Sequence, residues 1–296
     1  MKGKHVLILG GGTMQLPAIR NTLARGWMVS VADGNSGAEA ATLCHHFIPV
    51  DLRDVDGMIE AARELAAKEG LDGVFTAGTD FSYTVARVAE ELDLPGIPPR
   101  VALSASDKVL MRKVFEEKGI PAPPFVRVEP GDDVREKSSR LSFPLVVKPV
   151  DNMGARGVRR VDTSMELRNA LEEARSNSHS GNVIIEEYIE GPEFSIDALV
   201  EKGKVTITGF ADRIIRFSPF FVEMGHTLPS ESEPSLRKMI EETFIDAIHA
   251  LGITDGAAKG DVKWNGRRAV VGEVAARLSG GYMSGWTFPY ATGVDL

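Results

Sequence analysis

The chain has 296 residues, 43% hydrophobic and 26% charged, which suits a globular protein of two domains and excludes a low-complexity or fibrous chain. Its net charge is −8 and no Lys/Arg stripe runs along it, so nucleic acid and anionic membrane surfaces are poor partners. One cysteine, Cys44, excludes an internal disulfide; with no apolar run long enough for a signal peptide or a bilayer span, the expected location is the cytoplasm.

Val6–Leu9 is a short apolar run that reads as a buried strand. Gly10-Gly11-Gly12 follows it, then a helical stretch from Met14 to Arg25. Strand Val29–Ala32 ends at Asp33-Gly34-Asn35. A helix over Val55–Lys68 takes Asp54 as its N-cap and puts Met58, Ile59, Ala62, Leu65 and Ala66 on one face. Strand Val74–Thr76 and helix Phe81–Leu92 complete an α/β alternation that predicts a parallel sheet with helices on both sides. The proline-rich stretch Leu94–Pro99 closes this domain, placed at residues 1–103.

From residue 104 the pattern changes. A helix over about Asp107–Lys118 leads into an extended piece and then strands Leu145–Lys148 and Val158–Val161 around a glycine turn, Gly154–Gly157. Thr163-x-x-Glu166 has the spacing of a capping box. Val183–Ile189, Phe194–Val200 and Val205–Ile215 are strands joined by short polar turns, so an antiparallel α+β domain is expected over 104–296. Leu236, Met239, Ile240, Phe244, Ala247, Ile248 and Leu251 have helical spacing, and Asn265-Gly266 joins Gly260–Trp264 to Ala269–Val274 as a hairpin.

The chemistry-bearing residues concentrate in this second part. The Gly10–Gly12 loop lacks the third glycine of a dinucleotide fingerprint, since Gln15 stands there, and reads as a tight turn that starts a helix rather than as a nucleotide site. Lys148 ends an apolar strand; it either snorkels to solvent or, with the following glycine-rich loop, faces a polyphosphate. Lys108 lies in the first turn of its helix, where a cation opposes the dipole unless an anion sits between. Glu186, Glu187, Glu190 and Glu193 flank Tyr188 in a strand and the turn after it; carboxylates in an apolar strand need partners. With a three-residue or bulged loop around Asn265-Gly266, Asp261 and Glu273 fall on one face of the hairpin as near-diagonal neighbours, where they repel unless a cation lies between them. A salt-bridged structural hairpin is the alternative.

These features, in this order and over nearly the whole chain, resemble the ATP-grasp superfamily, specifically the branch of carbamoyl-phosphate synthase large chain and biotin carboxylase. The resemblance implies an α/β pre-ATP-grasp domain followed by an α+β ATP-grasp fold, with ATP between two subdomains. It implies that Lys108 and Lys148 contact phosphates and that Gly154–Gly157 form a flexible lid. Glu186 would meet the adenine amino group, Tyr188 the ring through its backbone, and Glu193 the ribose. Asp261 and Glu273 would hold one or two Mg²⁺ ions, and Arg277 would bind the transferring phosphate. Arg213, His226, Ser279, Gly280 and Gly281 would border the substrate, along with Arg216 and Glu223; Arg213 and Arg216 are three apart and share a pocket only across a bend.

Two departures stand out. The family's usual Glu-x-Asn-x-Arg is here Glu273-Val274-Ala275-Ala276-Arg277, without the asparagine metal ligand, and the chain stops at Leu296, where relatives usually continue. A fragment truncated at the C-terminus, or a short variant, is therefore expected. The implied activity is ATP- and Mg-dependent ligation of a small-molecule carboxylate to an amine through an acyl phosphate, with no nucleic-acid or membrane partner; a homodimer is allowed for. The alternatives are a bicarbonate-using, biotin-carboxylase-like enzyme and a non-catalytic ATP sensor.

Overall fold

The structure, a computed structural model, describes residues 3–295, so Leu296 and the expectation attached to it lie outside the described residues. Four parallel strands, β1 (His5–Leu9), β2 (Met28–Ala32), β3 (His46–Ile48) and β4 (Gly73–Thr76), form a sheet in the order β3-β2-β1-β4. Side chains alternate along β1. Val6 and Ile8 face helix α1 (Leu16–Ala24) through Leu16 and Ile19. Leu7 and Leu9 face α2 (Val55–Glu69) and α3 (Ser82–Glu91) through Met58, Ala62 and Val88. Both faces are covered, as a parallel sheet requires. Asp54 caps α2 by accepting from the Gly57 amide at 3.0 Å. The glycine loop after β1 is filled from within: Gln15 Oε1 accepts from the Gly12 amide at 3.1 Å, and its Nε2 donates to the Ala77 carbonyl.

Strand β3 and helix α4 (Pro99–Ser106) are absent from the sequence-based expectation. β3 is three residues long and half-buried, too short for a period. In α4, Pro99 occupies the first helical position, where a missing N–H costs nothing, so a proline that reads as punctuation opens a helix. This helix spans the point at which the sequence divides into its two patterns. Asp107 then caps α5 (Lys108–Lys118), accepting from the Val109 and Leu110 amides at 2.8 and 3.0 Å.

Two antiparallel sheets follow. The first, in the order β5-β8-β6-β7, contains β5 (Phe125–Val128), β6 (Leu145–Pro149), β7 (Arg159–Val161) and β8 (Val183–Glu187). The one-turn α6 (Val134–Lys137) lies beside it, and α7 (Leu167–Ser176) packs Leu167, Ala170, Leu171 and Ala174 onto Leu145, Val147 and Val183. The capping box acts one turn early: Glu166 accepts from the Asp162 and Thr163 amides at 2.7 and 3.1 Å, and α7 starts only at Leu167.

The second sheet runs β11-β10-β9-β12-β13. Its strands are β9 (Glu193–Glu201), β10 (Lys204–Arg216), β11 (Val222–Thr227), β12 (Gly256–Trp264) and β13 (Ala269–Ala275). Helix α8 (Pro234–Leu251) covers it through Ile240, Phe244, Ala247, Ile248 and Leu251; Met239, expected on that face, is exposed. Gly260 is dictated by this packing, since a Cβ there would sit 2.4 Å from the Phe244 ring. A π-helical turn (Met283–Thr287) and α9 (Phe288–Thr292) end the described chain. Ala77, just past β4, pairs with Leu278, and the Gly78 amide donates to the Leu278 carbonyl at 3.3 Å. The end of the parallel sheet thus holds the segment that follows β13.

Candidate active site

Lys148 on β6 and Glu186 on β8 are brought together across neighbouring antiparallel strands, with Lys148 Nζ 2.7 Å from Glu186 Oε2. The other oxygen of Glu186 lies 2.7 Å from Arg112 Nε on α5. That contact is electrostatic: neither atom has an aligned hydrogen-bond partner among the described residues, nor does Arg112 Nη1. Arg112 Nη2 donates to the Gly272 carbonyl at 2.5 Å, which ties α5 to β13 next to Glu273. Burial, reinforced by repulsion from Arg112 and Lys108, holds the Lys148 ammonium below the ordinary lysine range, against the pull of Glu186. Burial would push Glu186 up, but Arg112 and Lys148 more than reverse it and keep the carboxylate ionised. Two cations on one carboxylate leave positive charge uncompensated, a site that favours an anion.

Asp261 and Glu273 do share a face, as direct cross-strand partners rather than diagonal neighbours. The register shifts after Asp261, Val262 pairing with Val271, so that Gly272 is the extra residue of a bulge. Lys108 Nζ lies 3.3 Å from Glu273 Oε1 and donates to the Asn152 carbonyl at 2.9 Å, anchoring the start of the glycine loop. Enclosure would push the Glu273 carboxyl up; Lys108, Lys259, Lys148 and Arg277 together draw it well below the ordinary range. Asp261 is more tightly held. Ser195 Oγ donates to Oδ1 at 3.1 Å, Arg213 Nη1 is 3.0 Å from Oδ2, and Lys259 pairs with the same oxygen.

Arg213 reaches from β10 to three carboxylates: Asp261, Glu193 on β9 and, at 2.6 Å, Glu223 on β11. Burial lowers its pKa, and those three anions lift it above the ordinary arginine range. A cavity of about 390 Å³ next to it is lined by Tyr188, Glu193, Arg213, Arg216, Phe217 and Lys263, among others. Arg213 and Arg216 both line it; Arg216 is the last residue of β10, where the strand ends against Phe217 at φ +64°. The Tyr188 ring is flanked by two cations, Arg160 at 4.5 Å and Lys263 at 4.7 Å. Another cavity, about 370 Å³ and lined by residues such as Lys113, Arg127 and Arg140, contains none of these groups.

The segment after β13 is positioned from elsewhere. Arg277 Nε donates to Asp80 Oδ1 at 2.5 Å and Nη1 to the Leu278 carbonyl at 3.0 Å. Ser279 donates its amide and hydroxyl to the buried Asp197, the hydroxyl at 2.5 Å. Burial raises the Asp197 carboxyl to about 6 despite those bonds. The close approach at Gly280 is to the Gly78 carbonyl, 3.2 Å from where a Cβ would lie, while Gly281 adopts φ +60°. His226 Nε2 lies 2.8 Å from Thr287 Oγ1, and burial lowers its pKa. In the loop, Gly154 and Gly157 adopt φ +67° and +69°, and a Cβ on Gly157 would meet Asn177 at 2.8 Å.

Lys108, Lys148, Glu186, Glu273 and Asp261 are therefore gathered where the two antiparallel sheets meet α5. Tyr188, Glu193 and Arg213 adjoin them, and Arg277 and Ser279 come in under the parallel sheet. Sequence reasoning missed Arg112, Lys259 and Asp80. Arg112 carries a legible signal: it is three residues from both Val109 and Phe115 and four from Lys108, a charge on the apolar face of its helix. Lys259, two before Asp261 on the same strand, shares its face. Asp80 carries none, because its partner is 197 residues away.

A model of the ATP-grasp N-terminal domain matches residues 24–96, and a model of the ATP-grasp domain matches residues 141–285. The chain belongs to the ATP-grasp superfamily. It is 28% identical over 280 residues to a D-alanine–D-alanine ligase of Granulibacter bethesdensis, covering 93% of this chain and 86% of that protein. An L-amino acid ligase from Bacillus licheniformis superposes with a TM-score of 0.79 at 27% identity, over 94% of this chain and 68% of that one. An uncharacterised protein of Sinorhizobium fredii is 24% identical over 235 residues, 78% of this chain; the chain spans about half, 48%, of that relative's length. No helix among the described residues is long and apolar enough to cross a membrane.

The residues present fit the magnesium ion that ATP-grasp enzymes use, Glu273 better than Asp261. Mg²⁺ takes one or two carboxylates together with substrate phosphates. Glu273 fits: it is ionised, and its side chain keeps 32% of its surface exposed. Asp261 can join it only in part, since its oxygens already face Ser195, Arg213 and Lys259. No group of three or more candidate ligands occurs among the described residues.

Proposed function

We propose that the protein is an ATP- and Mg-dependent ligase that joins a small-molecule carboxylate to an amine. The observation that carries this reading is the setting of Glu273: Lys108 lies 3.3 Å and Lys259 3.9 Å from its oxygens, and the charges of Lys148 and Arg277 also help to keep it ionised. Such an arrangement is costly for folding and is accounted for by a polyanionic substrate. Lys108 and Lys148 would bind the phosphates, the loop containing Gly154 and Gly157 would cover them, and the cavity with Tyr188 and Glu193 would take the nucleoside. Glu186, with both oxygens against cations, would hold Lys148 and Arg112 in place and accept from the adenine amino group.

The substrate carboxylate oxygen would attack the γ-phosphorus, the bond to the bridging oxygen breaking to release ADP. An amine nitrogen would then attack the acyl carbon, expelling phosphate and losing its proton. Arg277, fixed by Asp80, would stabilise charge on the transferring phosphoryl group without reorganising. Arg213, His226 and the Ser279–Gly281 segment would border the carboxylate. A magnesium ion held on Glu273 would supply further neutralisation of phosphate charge. The names of two relatives, a D-alanine–D-alanine ligase and an L-amino acid ligase, favour amino acids as the first substrates to try.

ATP with Mg²⁺ should raise the melting temperature, as a ligand of the native state does, and NADH should not. Lys148→Met should remove most of that shift. Stabilisation by NADH and none by ATP would overturn the reading.

A further inference from the structure

Lys259 and Ala275 are direct cross-strand partners on the hairpin, two pairs along from Asp261 and Glu273. Alternation along β12 and β13 sets all four side chains on one face. Lys259 is buried, with 8% of its surface exposed. Its ammonium pairs with Asp261 Oδ2 and lies 3.9 Å from Glu273 Oε2, between the two carboxylates.

We infer that Lys259 is a built-in counter-ion occupying one of the two cation positions between Asp261 and Glu273, so that the nucleotide complex takes up one divalent cation per chain. This rests on the ATP reading above. Two carboxylates carry two negative charges, and a buried ammonium removes one. The remaining charge, on the more exposed Glu273, is what a single divalent ion shared with phosphates requires. A second ion would have to displace Lys259 into a cluster already containing Lys108, Lys148 and Arg213, or bind Asp261 against Arg213. Ala275 contributes no donor atom toward a second ion.

The test is equilibrium dialysis of the full chain with the non-hydrolysable analogue AMP-PNP and Mn²⁺, counting bound nucleotide and bound metal together. The wild type should hold one Mn²⁺ per bound nucleotide. Lys259→Met, which keeps the stem and removes the charge, should hold two, and Lys259→Arg should hold one. Two ions in the wild type, or one in a folded Lys259→Met, would overturn the inference while leaving the ATP reading intact. Absence of bound nucleotide would overturn both. If Lys259→Met does not fold, the wild-type count still decides.

Discussion

Arg112 Nε lies 2.7 Å from one oxygen of Glu186, and Lys148 Nζ lies 2.7 Å from the other. The two cations are not equivalent. Arg112 is fully buried and also donates to the Gly272 carbonyl, so it links α5, β8 and β13. Lys148 is held below its ordinary pKa by burial and by its cationic neighbours, so its charge adds less to the folded state.

A ranking follows for stability without nucleotide. Arg112→Met strands Glu186 with a single partner and frees the Gly272 carbonyl; it should cost about 3–5 kcal/mol, as breaking a buried pair does. Lys148→Met should cost less, because the repulsion it relieves offsets part of the lost pairing. Urea denaturation of both variants checks the order, and a costlier Lys148→Met would contradict it.

Glu273→Gln separates chemistry from folding. Carboxylate-dependent ADP formation should fall on the order of a hundredfold or more, as when an electrostatic group is removed from a transition state. The fold should survive, with stability lowered at neutral pH because Lys108 and Lys259 lose a common partner. The sign of the pH effect is fixed: the folded pKa is depressed, so the contribution is present above the ordinary glutamate range and is lost as pH falls. The stability gap between wild type and variant should therefore close in acid. A gap that widens in acid would remove the cation cluster from the account.

Asp197 gives the opposite slope. Burial raises its carboxyl to about 6, so the folded state binds a proton that the unfolded chain has already released. Its contribution is complete below the ordinary aspartate pKa and disappears as pH rises through about 6. Relative to Asp197→Asn, the wild type should lose about 3 kcal/mol of stability between about pH 4 and pH 7. Melting temperatures across that range check it; parallel pH curves for the two proteins would contradict it.

The parallel sheet was legible because its strands are continuous apolar runs and its helices have clear faces. Helix α4 was not, since Pro99 gives the same signal whether it ends one element or starts another. At the site, the even separation puts Asp261 and Glu273 on one face only when the hairpin carries a three-residue loop or a bulge. The bulge at Gly272, which makes them direct partners, is a property of the paired strands. The two acids call for a cation between them; that Lys259 supplies one was not read from the sequence. Arg213 and Arg216 line one cavity because Arg216 ends β10 just before the turn at Phe217, which their spacing does not announce. Asp80, from the other end of the chain, becomes visible only where the parallel sheet meets the segment after β13.

The central claim is that the bound nucleotide activates a carboxylate, and trapping the activated acyl group tests it most directly. The enzyme should be incubated with ATP, Mg²⁺ and hydroxylamine against a panel of carboxylates led by amino acids. The account predicts hydroxamate and ADP in equal amounts, dependent on one class of carboxylate, indifferent to added bicarbonate and abolished in Arg277→Met. ADP formation that needs bicarbonate and yields no hydroxamate, or nucleotide binding with no turnover on any carboxylate, would contradict it.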